Sequence, residues 1–295
     1  MTLSPATPTP RTRRWLLSRG AVATAAVLTA PLTAPAIAGA SSPAALATVD
    51  MELVLLGAQI DPPKSGTGIT PGAGAHVLTV EQALNAEGLL ASAYVDGHYG
   101  SSTVSAYAAW QRRLGYSGID ANGIPGQTSL TRLGESQGFS VTRAVTTGSR
   151  WDSYTGKRVN TRTRNMLARA DTMVSWSLTL TQGSYTSDDP ASAGTHAGGG
   201  VVDLSVSGLT TTQRWRTVQA LRTIGFAAWL RTPDQGPWGY HIHAAAVSDP
   251  DLSQPARNQI HDYYFGRNGL ANHAPDNTPT SYQVPFTWWE KYLRG

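Results

Sequence analysis

Apolar and polar positions change rhythm several times along the chain, and each rhythm predicts an element. From Thr79, read as an N-cap, Val80, Ala83, Leu84 and Leu89 recur at helical spacing. Gly97 and Gly100 break that run. A second helix is expected from Ser102 or Thr103, carrying Val104, Tyr107, Ala108, Trp110 and Leu114. The turn Asn122-Gly123-Ile124-Pro125-Gly126 precedes a short third helix through Leu130 and Leu133. Three short helices with glycine-rich corners predict a small bundle. Aromatics at helical spacing usually face a core, so Trp110 and Tyr107 are read as packing residues. Upstream, residues 51–56 read as a short strand and 61–74 as a loop.

The second half alternates helix and strand rhythms. Asn160-Thr161 caps a helix carrying Met166, Leu167, Ala170, Met173 and Val174, with Arg162, Arg164 and Arg169 on faces read as solvated. Residues 178–185 alternate like a strand, and 201–206 read as the next one after a polar, glycine-rich loop. An amphipathic helix over 210–224 shows Trp215, Val218, Leu221 and Ile224 on one side, and Gly225 stops it. Residues 226–231 and 240–247 flank a Pro/Gly-rich turn and predict an antiparallel hairpin. A last helix is expected over 256–265, with Trp288, Trp289 and Tyr292 anchoring the tail by packing. The expected fold class is α+β: a small N-terminal three-helix bundle, then a C-terminal α+β domain with a mainly antiparallel sheet. The boundaries read as an N-terminal address over 1–40, a linker or extension over 41–77, the helical unit over 78–138 and the second unit over 139–295. The stretch 139–158 either joins the two units or begins the second.

Composition narrows the classes. The 295 residues suffice for two modest domains. There is no cysteine, which excludes disulfides, thiolate metal sites and a cysteine nucleophile. The net charge of +4 comes from Arg11, Arg13, Arg14 and Arg19 in a stretch without acids; the rest carries 19 basic and 19 acidic residues. A formally neutral body argues against nucleic-acid binding. Arg13-Arg14-Trp15-Leu16-Leu17, the weakly apolar run 21–30 and the small-x-small sites at Ala36-Ile37-Ala38 and Ala38-Gly39-Ala40 predict a cleaved twin-arginine signal peptide. The run is too short to anchor in a bilayer of about 30 Å. The mature chain is expected outside the cytoplasmic membrane, without stable insertion into it.

Two segments carry the chemistry. One is Gly194-Thr195-His196-Ala197-Gly198-Gly199-Gly200-Val201-Val202-Asp203, the other Trp238-Gly239-Tyr240-His241-Ile242-His243. A catalytic zinc takes three N or O ligands and keeps a fourth position for water. His196, Asp203 and His243 supply that count, and the three glycines let the loop bend back towards the strand. His241 and His243 share a strand face about 7 Å apart. That spacing makes His241 the acid/base or oxyanion candidate beside the metal. Gln182, Ser184 and Tyr240 are the substrate-facing candidates, and Asp234 in the hairpin turn is a lesser acid/base candidate.

Two resemblances give these residues a setting. Asp96-Gly97-His98-Tyr99-Gly100-Ser101-Ser102-Thr103, Ala109-Trp110-Gln111, Leu114-Gly115 and Asn122-Gly123-Ile124-Pro125-Gly126 resemble the peptidoglycan-binding-like three-helix module over about 78–136. Trp110 replaces its usual Phe, and Asn122 one Asp. The resemblance implies attachment to bacterial wall polymer, with Tyr99 or Tyr116 as glycan contacts. His-x6-Asp followed by His-x-His is similar to the superfamily joining lysostaphin-type endopeptidases, D-Ala-D-Ala metallopeptidases and the hedgehog N-terminal domain, over about 175–250. By position it implies zinc ligands at His196, Asp203 and His243 and a catalytic His241. Tyr240 stands where several branches carry an acid. No upstream Arg matches the carboxylate-holding type, because that strand end offers Gln182, Gly183, Ser184 and Tyr185. The resemblance therefore implies a zinc endopeptidase acting on peptidoglycan peptides rather than a carboxypeptidase. The competing expectation is a wall-binding protein whose metal fold is not catalytic, which Tyr240 would allow.

Overall fold

The computed structural model describes residues 46–61 and 68–295. The expected signal peptide lies outside them, as do residues 41–45 and 62–67 of the expected linker. Strand β1 (Ala47–Asp50) leads directly into helix α1 (Met51–Ile60). Residues 51–56 were expected as a strand, and the structure corrects this. Asp50 ends β1 and caps the helix, its carboxylate accepting from the backbone N–H of Glu52 and Leu53 at 3.0 and 3.4 Å. A cap satisfying two orphan donors decides for the helix over an apolar run that periodicity alone leaves ambiguous.

Helices α2 (Gly74–Ala86), α3 (Ser101–Arg113) and α4 (Gln127–Gln137) follow. Helix α2 starts five residues before Thr79, whose hydroxyl instead donates back to Ala75 O at 3.0 Å inside the helix. Trp110 and Tyr107 are core residues as expected: Trp110 Nε1 donates to Ser129 O at 3.0 Å, and the Tyr107 ring is fully buried. Strand β2 (Phe139–Thr142) returns to pair in parallel with β1. Part of the 139–158 passage thus closes the first core, which contains α1 and both strands as well as α2–α4.

The rest of that passage forms the short hairpin of β3 (Asp152–Tyr154) and β4 (Lys157–Val159). Helix α5 (Thr161–Asp171) is capped by Asn160, which accepts from Thr163 N at 2.7 Å. Strands β5 (Leu180–Gln182) and β6 (Val201–Ser205) flank the glycine-rich loop. Helix α6 (Thr211–Ile224) has a Thr210/Gln213 capping box and ends at Gly225, φ 109°. Strands β7 (Phe226–Arg231) and β8 (His241–Ala246) make the expected hairpin, and helices α7 (Gln254–Tyr264) and α8 (Trp289–Arg294) complete the chain. Strands β5 to β8 form one antiparallel sheet in the order β5-β6-β8-β7. The fold is α+β, and the described residues form one compact unit.

Side-chain alternation gives the sheet two unlike faces. Val202, Leu204, Ala228, Leu230, Ile242, Ala244 and Ala246 face α5 and α6 in the second core. Val218, Leu221 and Ile224 of α6 are fully buried there, each contributing about 1.5–3 kcal/mol. Val201, Ala227, Trp229 and Ala245 point the other way, against Leu56 and Ile60 of α1 and Ala256, Ile260 and Tyr263 of α7. The same alternation continues to Asp203, His243, His241 and Arg231, so the polar site occupies one end of the α7-covered face.

Arg162 corrects another expectation. Its side chain is buried, and its guanidinium donates to both carboxylate oxygens of Glu290 at 2.8 Å and to Val247 O at 2.9 Å. This fork ties α8 to the end of β8. The tail aromatics pack as expected, Trp289 and Tyr292 on the second core and Trp288 on the third.

Candidate metal centre

The sheet register assembles the site. Gln182 pairs with Asp203, Asp203 with His243 and His243 with Trp229, so these four form one row across the strands. Ser205, His241 and Arg231 form the next row on that face. His196 arrives from a short 3-10 turn, Thr195–Ala197, in the loop before β6. Ligand atoms, one each from His196, Asp203 and His243, lie within 4.8 Å of one another.

The outer partners fix what those atoms present. His196 Nδ1 lies 2.8 Å from Gly183 O. A carbonyl only accepts, so Nδ1 carries a proton, and in the neutral form the Nε2 lone pair faces inward, 3.4 Å from Asp203 Oδ2. Gln259 on α7 donates from Nε2 to Gly269 O at 3.2 Å, which leaves its Oε1 facing His243 Nε2 at 2.8 Å. His243 therefore donates to Gln259 and turns its Nδ1 lone pair to Asp203 Oδ1, 2.8 Å away. Each imidazole has its tautomer set by an acceptor behind it, the usual arrangement of a metal-binding histidine.

Burial pushes the Asp203 carboxyl up, but protons or positive charge shared with the His196 and His243 rings prevail and hold it far below the usual carboxylate range. Either protons or a metal ion must sit between this anion and the two ring nitrogens. Burial pushes the His243 imidazole below its ordinary value despite the pull of Asp203. Ligands on a tetrahedral ion with bonds of about 2.0–2.1 Å stand ~3.3 Å apart. The gap between His196 and Asp203 is already close to this. The group can hold a metal ion.

His241 stands beside the cluster. Its Nδ1 donates to Gly239 O at 2.9 Å, which leaves the Nε2 lone pair 3.9 Å from Asp203 Oδ1. Its ring meets Trp238 edge-on, with centroids 6.2 Å apart. Tyr240 is half exposed, with Arg214 over its ring at 5.0 Å. Gln182 lies at the β5 end of the row and accepts from Ser192 Oγ at 3.1 Å. Ser184 does not face substrate space: it is buried, and its hydroxyl donates to Val201 O at 2.7 Å as a strut between β5 and β6. Asp234 makes no hydrogen bond or ion pair among the described residues. Tyr99 is buried in the first core with its hydroxyl on Gly123 O at 3.1 Å, whereas Tyr116 is half-buried at the surface.

Three contributors were not legible in the sequence. Gln259 comes from another helix. Trp229 stacks on the His243 ring with centroids 6.4 Å apart and 24° between planes, and donates from Nε1 to Arg267 O. Arg231 is buried over Trp229, donates to Asn268 O at 2.6 Å and adds a fixed cation; burial lowers its pKa to about 10.

The loop that carries His196 is braced from behind. Gly199 N donates to Asp251 O at 2.9 Å, and Asp251 is held by Arg150 at 2.6 and 2.7 Å and by the Tyr185 hydroxyl at 2.7 Å. A Cβ on Gly198 would overlap Asp251 O, which is backbone and cannot step aside. The glycines therefore serve close packing on this brace as much as bending. Gly198→Ala is expected to displace His196 and weaken metal binding at least tenfold, read by isothermal titration with Zn2+. Unchanged affinity would show that the brace does not place His196.

No family model, no curated protein and no solved structure matches the chain.

Proposed function

We propose that the chain is a zinc-dependent peptidoglycan hydrolase cleaving peptide bonds of stem peptides or cross-links, with endopeptidase favoured over carboxypeptidase action. The observation that carries this reading is the convergence of lone pairs from His196 Nε2 and His243 Nδ1 on the Asp203 carboxylate, with the lone pair of His241 Nε2 beside them. Zinc suits two imidazoles and a carboxylate, and when bound it supplies Lewis acidity that activates water and polarises a scissile carbonyl.

The chain's own residues supply the remaining chemistry. His241 Nε2, its tautomer held by Gly239 O, accepts a proton from the attacking water and returns it to the leaving amine. Arg231 adds positive potential on the face where negative charge develops. Gln182 orients substrate at the β5 end of the row, and Tyr240 flanks the opposite approach. The substrate class rests on the helical unit, α2–α4, as a wall-binding module of the three-helix type, and on the twin-arginine address as the route to the wall. Among the described residues no helix is long and apolar enough to cross a membrane.

Purified bacterial walls incubated with the protein are expected to lose turbidity, and a chelator is expected to stop the loss. Binding to walls without any lysis would overturn the enzymatic reading in favour of a non-catalytic wall-binding protein.

A further inference from the structure

A second feature lies on the β5 side of the sheet. A polar groove of about 410 Å3 runs between Lys157 and Arg158 of β4 and the stretch from Thr181 through Asp188. Its lining includes Gln182, in the same row as Asp203. Beside its Arg158 flank stands Trp151, 79% exposed, the most exposed large hydrophobic side chain among the described residues.

This indole is held in place. The Arg158 guanidinium lies 3.6 Å from the Trp151 ring centroid and 4.6 Å from that of Tyr185. Arg158 is itself fixed, donating from Nε to Arg150 O at 2.8 Å. Trp151, Arg158 and Tyr185 form a ladder in which the guanidinium covers one indole face and leaves the other open. Leaving so large an apolar surface in water forgoes the stabilisation that burial would give. The stacked guanidinium favours this orientation of the indole, which lowers the ordering entropy that a ligand covering it must pay.

We propose that Trp151 is a stacking platform for a sugar ring, and that the adjoining groove is an oligosaccharide subsite. A pyranose offers a flat face of C–H groups to an indole and a rim of hydroxyls that need hydrogen-bond partners. The groove supplies such partners from Thr181, Gln182, Thr186 and Ser187, and its lining contains no aliphatic side chain. An apolar peptide would find no pocket there. An acidic peptide would use Lys157 and Arg158 but leave the indole uncovered. The inference deepens the proposed function and rests on it for one point, that the peptide attached to the sugar reaches the metal centre past Gln182.

The test is isothermal titration of the full chain with chitotetraose, a soluble β-1,4-linked N-acetylglucosamine oligomer. Wild type is expected to bind, with or without Zn2+. Trp151→Ala is expected to bind at least tenfold more weakly, and Trp151→Phe within about threefold of wild type. The exposed position predicts unchanged melting for both variants, which separates lost contact from lost fold. Equal binding by wild type and Trp151→Ala would overturn the proposal. So would binding of an acidic tetrapeptide with no binding of chitotetraose. Sugar binding through Trp151 in a protein that hydrolyses no peptide would sink the peptidase reading and uphold this one; peptide hydrolysis without sugar binding would do the reverse.

Discussion

His243→Ala is expected to lose bound zinc and peptide hydrolysis together. The substitution removes one of three inward-facing donor atoms, and its neighbours replace Nδ1 poorly: Trp229 offers no lone pair, and Gln182 and Gln259 offer only amide oxygens. Losing a partner behind a ligand typically costs 10–100-fold in metal affinity, so losing the ligand itself should exceed about 100-fold. It would also leave Asp203 and His196 as an incomplete pair on a buried face, with Asp203 still ionised. Metal content after dialysis, measured by inductively coupled plasma mass spectrometry, checks the claim. Circular dichroism shows whether the sheet survives. A folded His243→Ala protein with full zinc content would refute the ligand assignment.

His241→Gln should separate chemistry from metal binding. His241 lies outside the three-residue cluster, and its Nε2 is 3.9 Å from the nearest Asp203 oxygen. Glutamine keeps polarity at the position but cannot shuttle a proton near neutral pH. Hydrolysis is expected to fall by about 10²–10⁴, the range for loss of a general acid/base, while zinc content stays at one per chain. Loss of zinc in His241→Gln would make this residue a fourth ligand, and unchanged turnover would remove it from the mechanism.

The sequence revealed the centre more fully than its supports. The period-two rhythm of 241–246 placed His241 and His243 on one face, and β8 keeps them there. Thr210 with Gln213 and Gly225 announced α6 because caps are local chemistry. Misreadings arose where a distant partner decided. Arg162 lies in a helix whose arginines look solvated until Glu290, 128 residues on, forms a fork with it. Ser184 looks available until Val201 O takes its hydroxyl. Gln259 carries no local signal, because its role depends on α7 crossing the sheet at His243. Trp151 and Arg158 are unremarkable in sequence, and only the β3–β4 hairpin stacks one on the other.

Arg231 is the sharpest addition to the site. The hairpin pairs it with His241, so a buried cation stands one strand from the candidate base. No pattern of spacing in the chain separates it from the exposed arginines of α5 or α6.

The central claim is that this site cuts peptide bonds of the bacterial wall by using a bound metal. Mass spectrometry of material released from purified walls, with and without chelator, tests it most directly. The predicted result is fragments with newly freed amino and carboxyl ends within peptide bridges, absent when chelator is present. Release of cleaved glycan chains with intact peptides, or peptide cleavage unaffected by chelator, would contradict it.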